Sequence, residues 1–249
     1  SILWTVISTK EYPPAEFASF HEPDLVEEKH KSGLAEIFSD LVNMPKTMKQ
    51  LGVVQFFSWF ALFSMWVFTT PAVVDHVYNI RAGDTSSVEY NNAANWVNVC
   101  FGVYNLVSAI YALLLPRIVR NTSRIKTHAF SLVMGGIGLI SIYFIQNHYL
   151  LLLSMIGIGL AWGSILAMPY AILSSSIPVK KIGVYMGIFN FFITFPQIVN
   201  GIIGGPVVKY FYHNHSIYAL IMAGVFMFLG AISVLYVQDG KKIQIIDKA

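Results

Sequence analysis

Residues 51–74 read LGVVQFFSWFALFSMWVFTTPAVV, 24 positions without Asp, Glu, Lys, Arg or His. A hydrocarbon layer about 30 Å thick is crossed by roughly 20 apolar residues in helix, so this run is long enough to span a membrane. Barrel strands are excluded, because the apolar residues are continuous rather than alternating. Runs of the same kind recur at 96–116, 129–145, 150–177, 183–208 and 217–237, again without a charged residue or His. The sequence predicts an all-α membrane protein with six transmembrane helices over 51–237.

Composition points the same way. Charged residues are 12% of the chain and hydrophobic residues 55%, with mean hydropathy +0.60; a water-soluble domain carries about 25% charged residues. Eight carboxylates precede residue 41 and none falls between 90 and 238. Lys and Arg are scattered over short connections, with no basic, aromatic-interleaved patch for nucleic acid. Cys100 is the single cysteine, which leaves no internal disulfide or thiolate metal cage. His21, His30, His76, His128, His148, His213 and His215 fall in loops or at helix ends, and no Gly-x-Ser-x-Gly occurs. An intramembrane protease would need a serine and a histidine base together at membrane depth. Neither enzymatic activity nor a cofactor or metal is expected.

Orientation follows from the basic residues. Lys10, Lys29, Lys31, Lys46, Lys49, Arg117, Arg120, Arg124, Lys126, Lys180, Lys181, Lys241, Lys242 and Lys248 fall on one side, and only Arg81 and Lys209 on the other. Both termini are therefore expected in the cytoplasm, in a bacterial cytoplasmic (inner) membrane. Residues 1–8, SILWTVIS, read as the end of a transmembrane helix begun further upstream. Residues 9–50 read as a cytoplasmic central loop: Pro13-Pro14 and mixed charge, then Leu34, Ile37, Phe38 and Leu41 at the spacing of an amphipathic helix. Such a linker would join two six-helix bundles. Residues 238–249 form a cytoplasmic tail, and 75–95 a polar outer loop.

Polar residues in lipid are costly unless they meet a partner or a water-filled cavity. On the first run Gln55, Trp59, Leu62, Trp66 and Thr69 share a face, followed by Pro71. The second offers Asn98, Asn105 and Ser108. The fourth carries Trp162, Pro169 and Tyr170, and the fifth aligns Asn190, Thr194, Gln197 and Gly201 around Pro196. Neutral amides and hydroxyls beside indole rings suit a polyhydroxylated ligand, so Gln55, Trp59, Trp66, Asn105, Trp162, Tyr170, Asn190 and Gln197 are the candidate substrate-binding residues. Each polar group alone has the plainer reading of a bond between helices. Pro71, Pro169 and Pro196 are candidate helix breaks or gates. Gly159-x3-Gly163-x3-Ala167, Gly183-x3-Gly187 and Gly201-x3-Gly205 are candidate close-packing faces.

An internal repeat is visible: Gly102-Val-Tyr-Asn105 resembles Gly187-Ile-Phe-Asn190, each preceded by a run with Trp and then Pro (Trp66 and Pro71; Trp162 and Pro169). Runs one to three would repeat as four to six, inverted in the membrane. Pro169-Tyr-Ala-Ile-Leu-Ser-Ser-Ser-Ile177, Gly187-Ile-Phe-Asn190 and Pro196-Gln197 resemble the tenth and eleventh helices of sucrose–proton symporters. Met44-Pro-Lys-Thr-Met-Lys-Gln-Leu51 with Gln55-Phe-Phe-Ser-Trp-Phe-Ala-Leu-Phe63 is similar to the seventh-helix start of their bacterial relatives, and Tyr90-Asn91 with Trp96 to the start of the eighth. These are the glycoside–pentoside–hexuronide cation symporters, of sucrose and maltose type, within the major facilitator superfamily.

The resemblance implies a twelve-helix transporter that moves a small sugar between two halves by alternating access, driven by a proton or sodium gradient. This chain would supply helices seven to twelve and the central loop, and would need the N-terminal six-helix half, the lipid bilayer, the sugar and a coupling cation. The loop 116–126 has the family's basic residues but lacks its Asp. Asp75 is the single near-membrane carboxylate, a candidate for coupling or a plain rim residue. The competing reading is a complete six-helix protein, acting as a homodimeric transporter or as a non-transporting membrane partner.

Overall fold

A backbone in hydrocarbon has no water to satisfy its N–H and C=O groups, so each apolar run must hydrogen-bond within itself as helix. The computed structural model describes residue 39 and residues 41–80, 85–177 and 182–239. Over these it has six helices long and apolar enough to cross a membrane. They are α1 (Lys46–His76), α2 (Val88–Asn121), α3 (Arg124–Phe144), α4 (Leu151–Ser174), α5 (Ile182–Pro206) and α6 (Ile217–Leu235). A 3-10 turn, His148–Leu150, leads into α4, and a π turn, Val207–Phe211, follows α5. The expected stub at 1–8, nearly all of the loop before residue 41 and the tail from 240 lie outside the described residues.

The helices outrun the apolar runs that announce them. Ser87 caps α2 well before Trp96, its Oγ accepting the Tyr90 N–H at 3.1 Å. Tyr90, Asn91 and Asn92, expected in an outer loop, thus lie in the first turns of α2. Ser123 caps α3 in the same way, through the Lys126 N–H at 3.1 Å. At 31 and 34 residues, α1 and α2 are about 46 and 51 Å long. Hydropathy marks only the part of a helix inside the hydrocarbon; capped polar ends extend past it.

Pro71, Pro169 and Pro196 were candidate helix breaks, and this expectation is corrected: α1, α4 and α5 each continue past their proline. A proline removes one N–H and crowds one carbonyl, a local loss that none of the three helices ends on.

The neighbours obey a simple rule. α1 packs on α6 as α4 packs on α3, and α2 packs on α4 as α5 packs on α1; α3 meets α6, and α1 meets α4. Replacing every helix by the one three places along exchanges these principal contacts, while the smaller contacts of α1 with α2 and α3 and of α2 with α3 fall outside the rule. Successive spans alternate in direction, so helices three apart run oppositely, and the bundle is a 3+3 inverted repeat.

Backbone approach at glycine makes these contacts possible. Gly136 of α3 and Gly224 of α6 face each other, and a Cβ on either would come within 2.9 Å of the other's carbonyl oxygen. A Cβ on Gly138 would lie 2.6 Å from the Ser154 carbonyl of α4, and one on Gly159 would lie 2.7 Å from the Tyr104 carbonyl of α2. Short polar tethers accompany them: Ser141 to Ser154 at 2.7 Å, Tyr111 to Ser131 at 2.9 Å, and the fully buried His128 Nδ1 to Ser164 at 2.8 Å. The Gly159/Gly163 face is used as the sequence suggests. Gly183, Gly187 and Gly205 are not, since a Cβ there meets nothing within 4 Å, and one on Gly201 meets only Phe63 at 3.9 Å.

Two substitutions separate these classes. Gly138→Ala should destabilise the bundle by about 1–3 kcal/mol through the clash with α4. Gly187→Ala, in a protein of these 249 residues alone, should be neutral or stabilising, because alanine is the better helix former. Thermal unfolding in detergent reads both; equal losses would contradict the packing assignment.

Candidate functional site

Positions 55, 59, 62, 66 and 69 advance by four, three, four and three, so they line one face of α1. The face turns toward α4 and α2. Trp59 and Trp66 lie with ring centroids 6.3 Å apart, and Trp162 of α4 sits 5.8 Å from the first and 5.5 Å from the second, edge to face with both. Such contacts contribute about 0.5–1.5 kcal/mol each beyond burial. Trp66 Nε1 donates to Tyr104 Oη of α2 at 3.1 Å, which ties three helices together. Trp162 and Tyr104 stand at the middle of their helices, and Trp59 and Trp66 straddle the middle of α1. The cluster is therefore at mid-membrane depth.

Gln55 lies one turn from Trp59, toward the end of the bundle that carries Arg117, Arg120 and Arg124. Its side chain has no exposed surface, and neither Oε1 nor Nε2 has a hydrogen-bond partner; Trp59 Nε1 lacks one as well. A buried polar group left unpaired costs about 1–3 kcal/mol. Two donor groups and an acceptor on neighbouring turns of α1 are thus unpaired, and Trp59 is one of the three clustered indoles. Unpaired N–H and C=O groups can exchange hydrogen bonds with hydroxyls, and indole faces can pack on C–H surface; here the groups are packed, Gln55 with no exposed surface and Trp59 8% exposed.

The remaining candidates form a second, outward-facing group. Asn190, Thr194, Gln197 and Gly201 share one face of α5, mostly exposed, with Gly201 at its edge toward Phe63 of α1. Their polar atoms mostly turn back onto their own helix: Gln197 Nε2 donates to the Ile193 carbonyl at 3.0 Å, and Thr194 Oγ1 to that of Asn190 at 3.2 Å. Asn105 on α2 does likewise, its Nδ2 donating to the Phe101 carbonyl at 2.8 Å. Tyr170 Oη donates to Asn190 Oδ1 at 3.2 Å, linking α4 to α5. Asn98, Gly102 and Asn105 share an exposed face of α2. Ser108, expected with them, is instead buried against Gly163 of α4.

The family model of the Major Facilitator Superfamily matches residues 1–201. The chain belongs to the Major Facilitator Superfamily. Its members are transporters, and this one is an integral membrane protein with the six-helix, 3+3 inverted-repeat architecture of one half of the facilitator fold. No curated protein matches it closely.

Two residues of this facilitator matter that the sequence did not single out. Tyr104 is the acceptor for Trp66, and its position inside the Gly102–Asn105 repeat was the available signal. Asn200 is almost fully buried; its Nδ2 donates to the Phe60 carbonyl at 3.1 Å and to Ser64 Oγ, fastening α5 to α1, while its Oδ1 has no partner. It directly precedes Gly201 and points into the α1 contact. Asp75 lies about 13 Å beyond Trp66 along α1, where its Oδ2 is 3.3 Å from His215 Nδ1. Among the described residues no group of three His, Cys, Asp or Glu could hold a metal ion.

The α5 tether has its own test. Asn200→Ala should weaken the bundle by about 1 kcal/mol. A thermal-unfolding double-mutant cycle with Ser64→Ala should show coupling of at least roughly 0.5 kcal/mol, whereas simple additivity would mean that the two side chains act independently.

Proposed function

We propose that this chain is the C-terminal half of a cation-coupled sugar transporter working by alternating access, and that Gln55, Trp59, Trp66 and Trp162 form its share of the sugar site. The observation that carries the reading is the unpaired, fully buried Gln55 amide one helical turn from Trp59, a member of the indole cluster midway along the helices. Indole faces stack on the C–H faces of a pyranose, and the amide exchanges hydrogen bonds with its hydroxyls. The site is neutral, which favours a sugar over a charged solute.

Two uncovered faces favour the second half. On α2, Asn98, Gly102 and Asn105 look outward; on α5, Gly183, Gly187, Asn190, Gln197 and Gly205 do the same. Amides and glycines on a face that meets lipid alone have no use, whereas a facing helix would pack on the glycines and bond the amides. In this reading the faces meet the N-terminal six helices, with the sugar between, and Asn105, Tyr170, Asn190 and Gln197 line the same cavity. The coupling cation is a proton. With no carboxylate between residues 90 and 238, and with Asp75 held at the rim by His215, the acid that binds the proton belongs to the other half. Both termini face the cytoplasm of a bacterial cell. A homodimer of six-helix chains would cover the same two faces.

Gln55→Leu distinguishes a binding amide from a structural one. Removing an unpaired buried amide should raise the stability of the sugar-free protein by about 1–3 kcal/mol and lower sugar affinity roughly tenfold. The opposite pattern, lost stability with unchanged affinity, would refute the site. For the half-protein reading, proteoliposomes holding only these 249 residues should not take up labelled disaccharide; uptake would favour the homodimer.

A further inference from the structure

The three indoles are not equally accessible. Trp59 is 8% exposed, while Trp66 and Trp162 are half-buried and keep part of their surface open. These two stand perpendicular, with ring centroids 5.5 Å apart. The polar group in direct contact with this more accessible pair is the hydroxyl of Tyr104 on α2, which accepts the Trp66 Nε1 hydrogen at 3.1 Å.

A phenol oxygen both accepts and donates. Accepting from Trp66 leaves the Tyr104 hydroxyl hydrogen over, and no acceptor for it occurs among the described residues. An O–H group that already accepts a hydrogen bond is polarised into a better donor. Trp66, for its part, has its one N–H engaged, so a molecule packed on its ring meets apolar surface alone. The donor capacity of the indole is in effect passed on to Tyr104. The hydroxyl is also held in place. Tyr104 is 5% exposed, and Phe101 packs edge to face on its ring at 5.6 Å. Gly159 of α4 lies so close that a Cβ there would come within 2.7 Å of the Tyr104 carbonyl oxygen.

The inverted repeat supplies an internal comparison. Tyr104, in Gly102-Val-Tyr-Asn105, corresponds to Phe189 in Gly187-Ile-Phe-Asn190. Phe189 is fully buried and packs edge to face on Tyr170 at 5.3 Å. The fold therefore fills this step of the repeat with a ring that carries no hydroxyl. The hydroxyl of Tyr104 is an addition, placed beside the partly exposed indoles.

We propose that Tyr104 is a further sugar-binding residue, its hydroxyl donating to one oxygen of a sugar that lies against Trp66 and Trp162. The proposal rests on the sugar reading above and extends it from α1 and α4 to a fixed donor on α2. A ligand with no oxygen at that place would leave the hydroxyl unpaired, so Tyr104 selects among sugars by the position of a single oxygen.

The test is calorimetric titration of the full-length protein with sucrose, maltose and lactose, and then with analogues of whichever binds that lack one oxygen at a time. Tyr104→Phe should weaken the parent sugar about two- to tenfold, and should not further weaken the one analogue that lacks the partner oxygen. 3-Fluorotyrosine at position 104 is a stronger donor of nearly the same shape. It should tighten the parent and not that analogue, and it serves if Tyr104→Phe does not fold. Equal weakening of the parent and of every analogue, or no weakening of any, would mean that the hydroxyl only holds Trp66, and would overturn the proposal while the sugar site stands. A wild-type protein that binds none of the three sugars would instead overturn the sugar reading, and the proposal with it.

Discussion

Three glycines within a single turn of α3 set the geometry of the bundle. Gly135 abuts Ala161 of α4, Gly136 abuts Gly224 of α6, and Gly138 abuts the Ser154 carbonyl of α4. Lipid chains are as apolar as leucine, so burial from water does little to drive helices together here; close van der Waals contact and a few hydrogen bonds must do it. Where α3 touches α4 and α6 at backbone distance, the inverted repeat closes. α1 and α4 are then brought face to face, and the tryptophans of the two meet.

The same geometry explains why the two least buried helices, α2 and α5, are the ones with amides and open glycines. Each is the second helix of its repeat, and each packs mainly on the first helix of the other. Their inner faces are occupied by residues such as Cys100 and Ser108 or Phe189 and Asn200. Their outer faces carry exposed amides and glycines, with leucines beside them on α2.

Much of this was legible in the sequence, because bilayer thickness imposes a length and a polarity that composition alone reveals. The six spans, the α1 face from Gln55 to Thr69 and the α5 face from Asn190 to Gly201 all follow from periodicity. Helix ends did not, since capped turns such as that at Ser87 lie outside the hydrocarbon. Prolines misled: Pro71, Pro169 and Pro196 lower helix propensity locally, yet each helix continues through them. Tyr104 and Asn200 were hidden because their roles depend on partners on other helices, Trp66 and Ser64. Ser108 was assigned to the wrong flank, a matter of facing α4 rather than of residue type. Which glycines pack and which stay open is likewise a tertiary fact, since Gly159-x3-Gly163 and Gly183-x3-Gly187 are indistinguishable in sequence.

The decisive measurement is intrinsic tryptophan fluorescence of the full-length protein titrated with a disaccharide. Because Trp59, Trp66 and Trp162 touch one another, a sugar seated on them should shift emission in a saturable way, and Trp59→Phe should remove most of that shift. A signal that stays flat, or that rises linearly as it does with glycerol, would contradict a sugar site at the indole cluster.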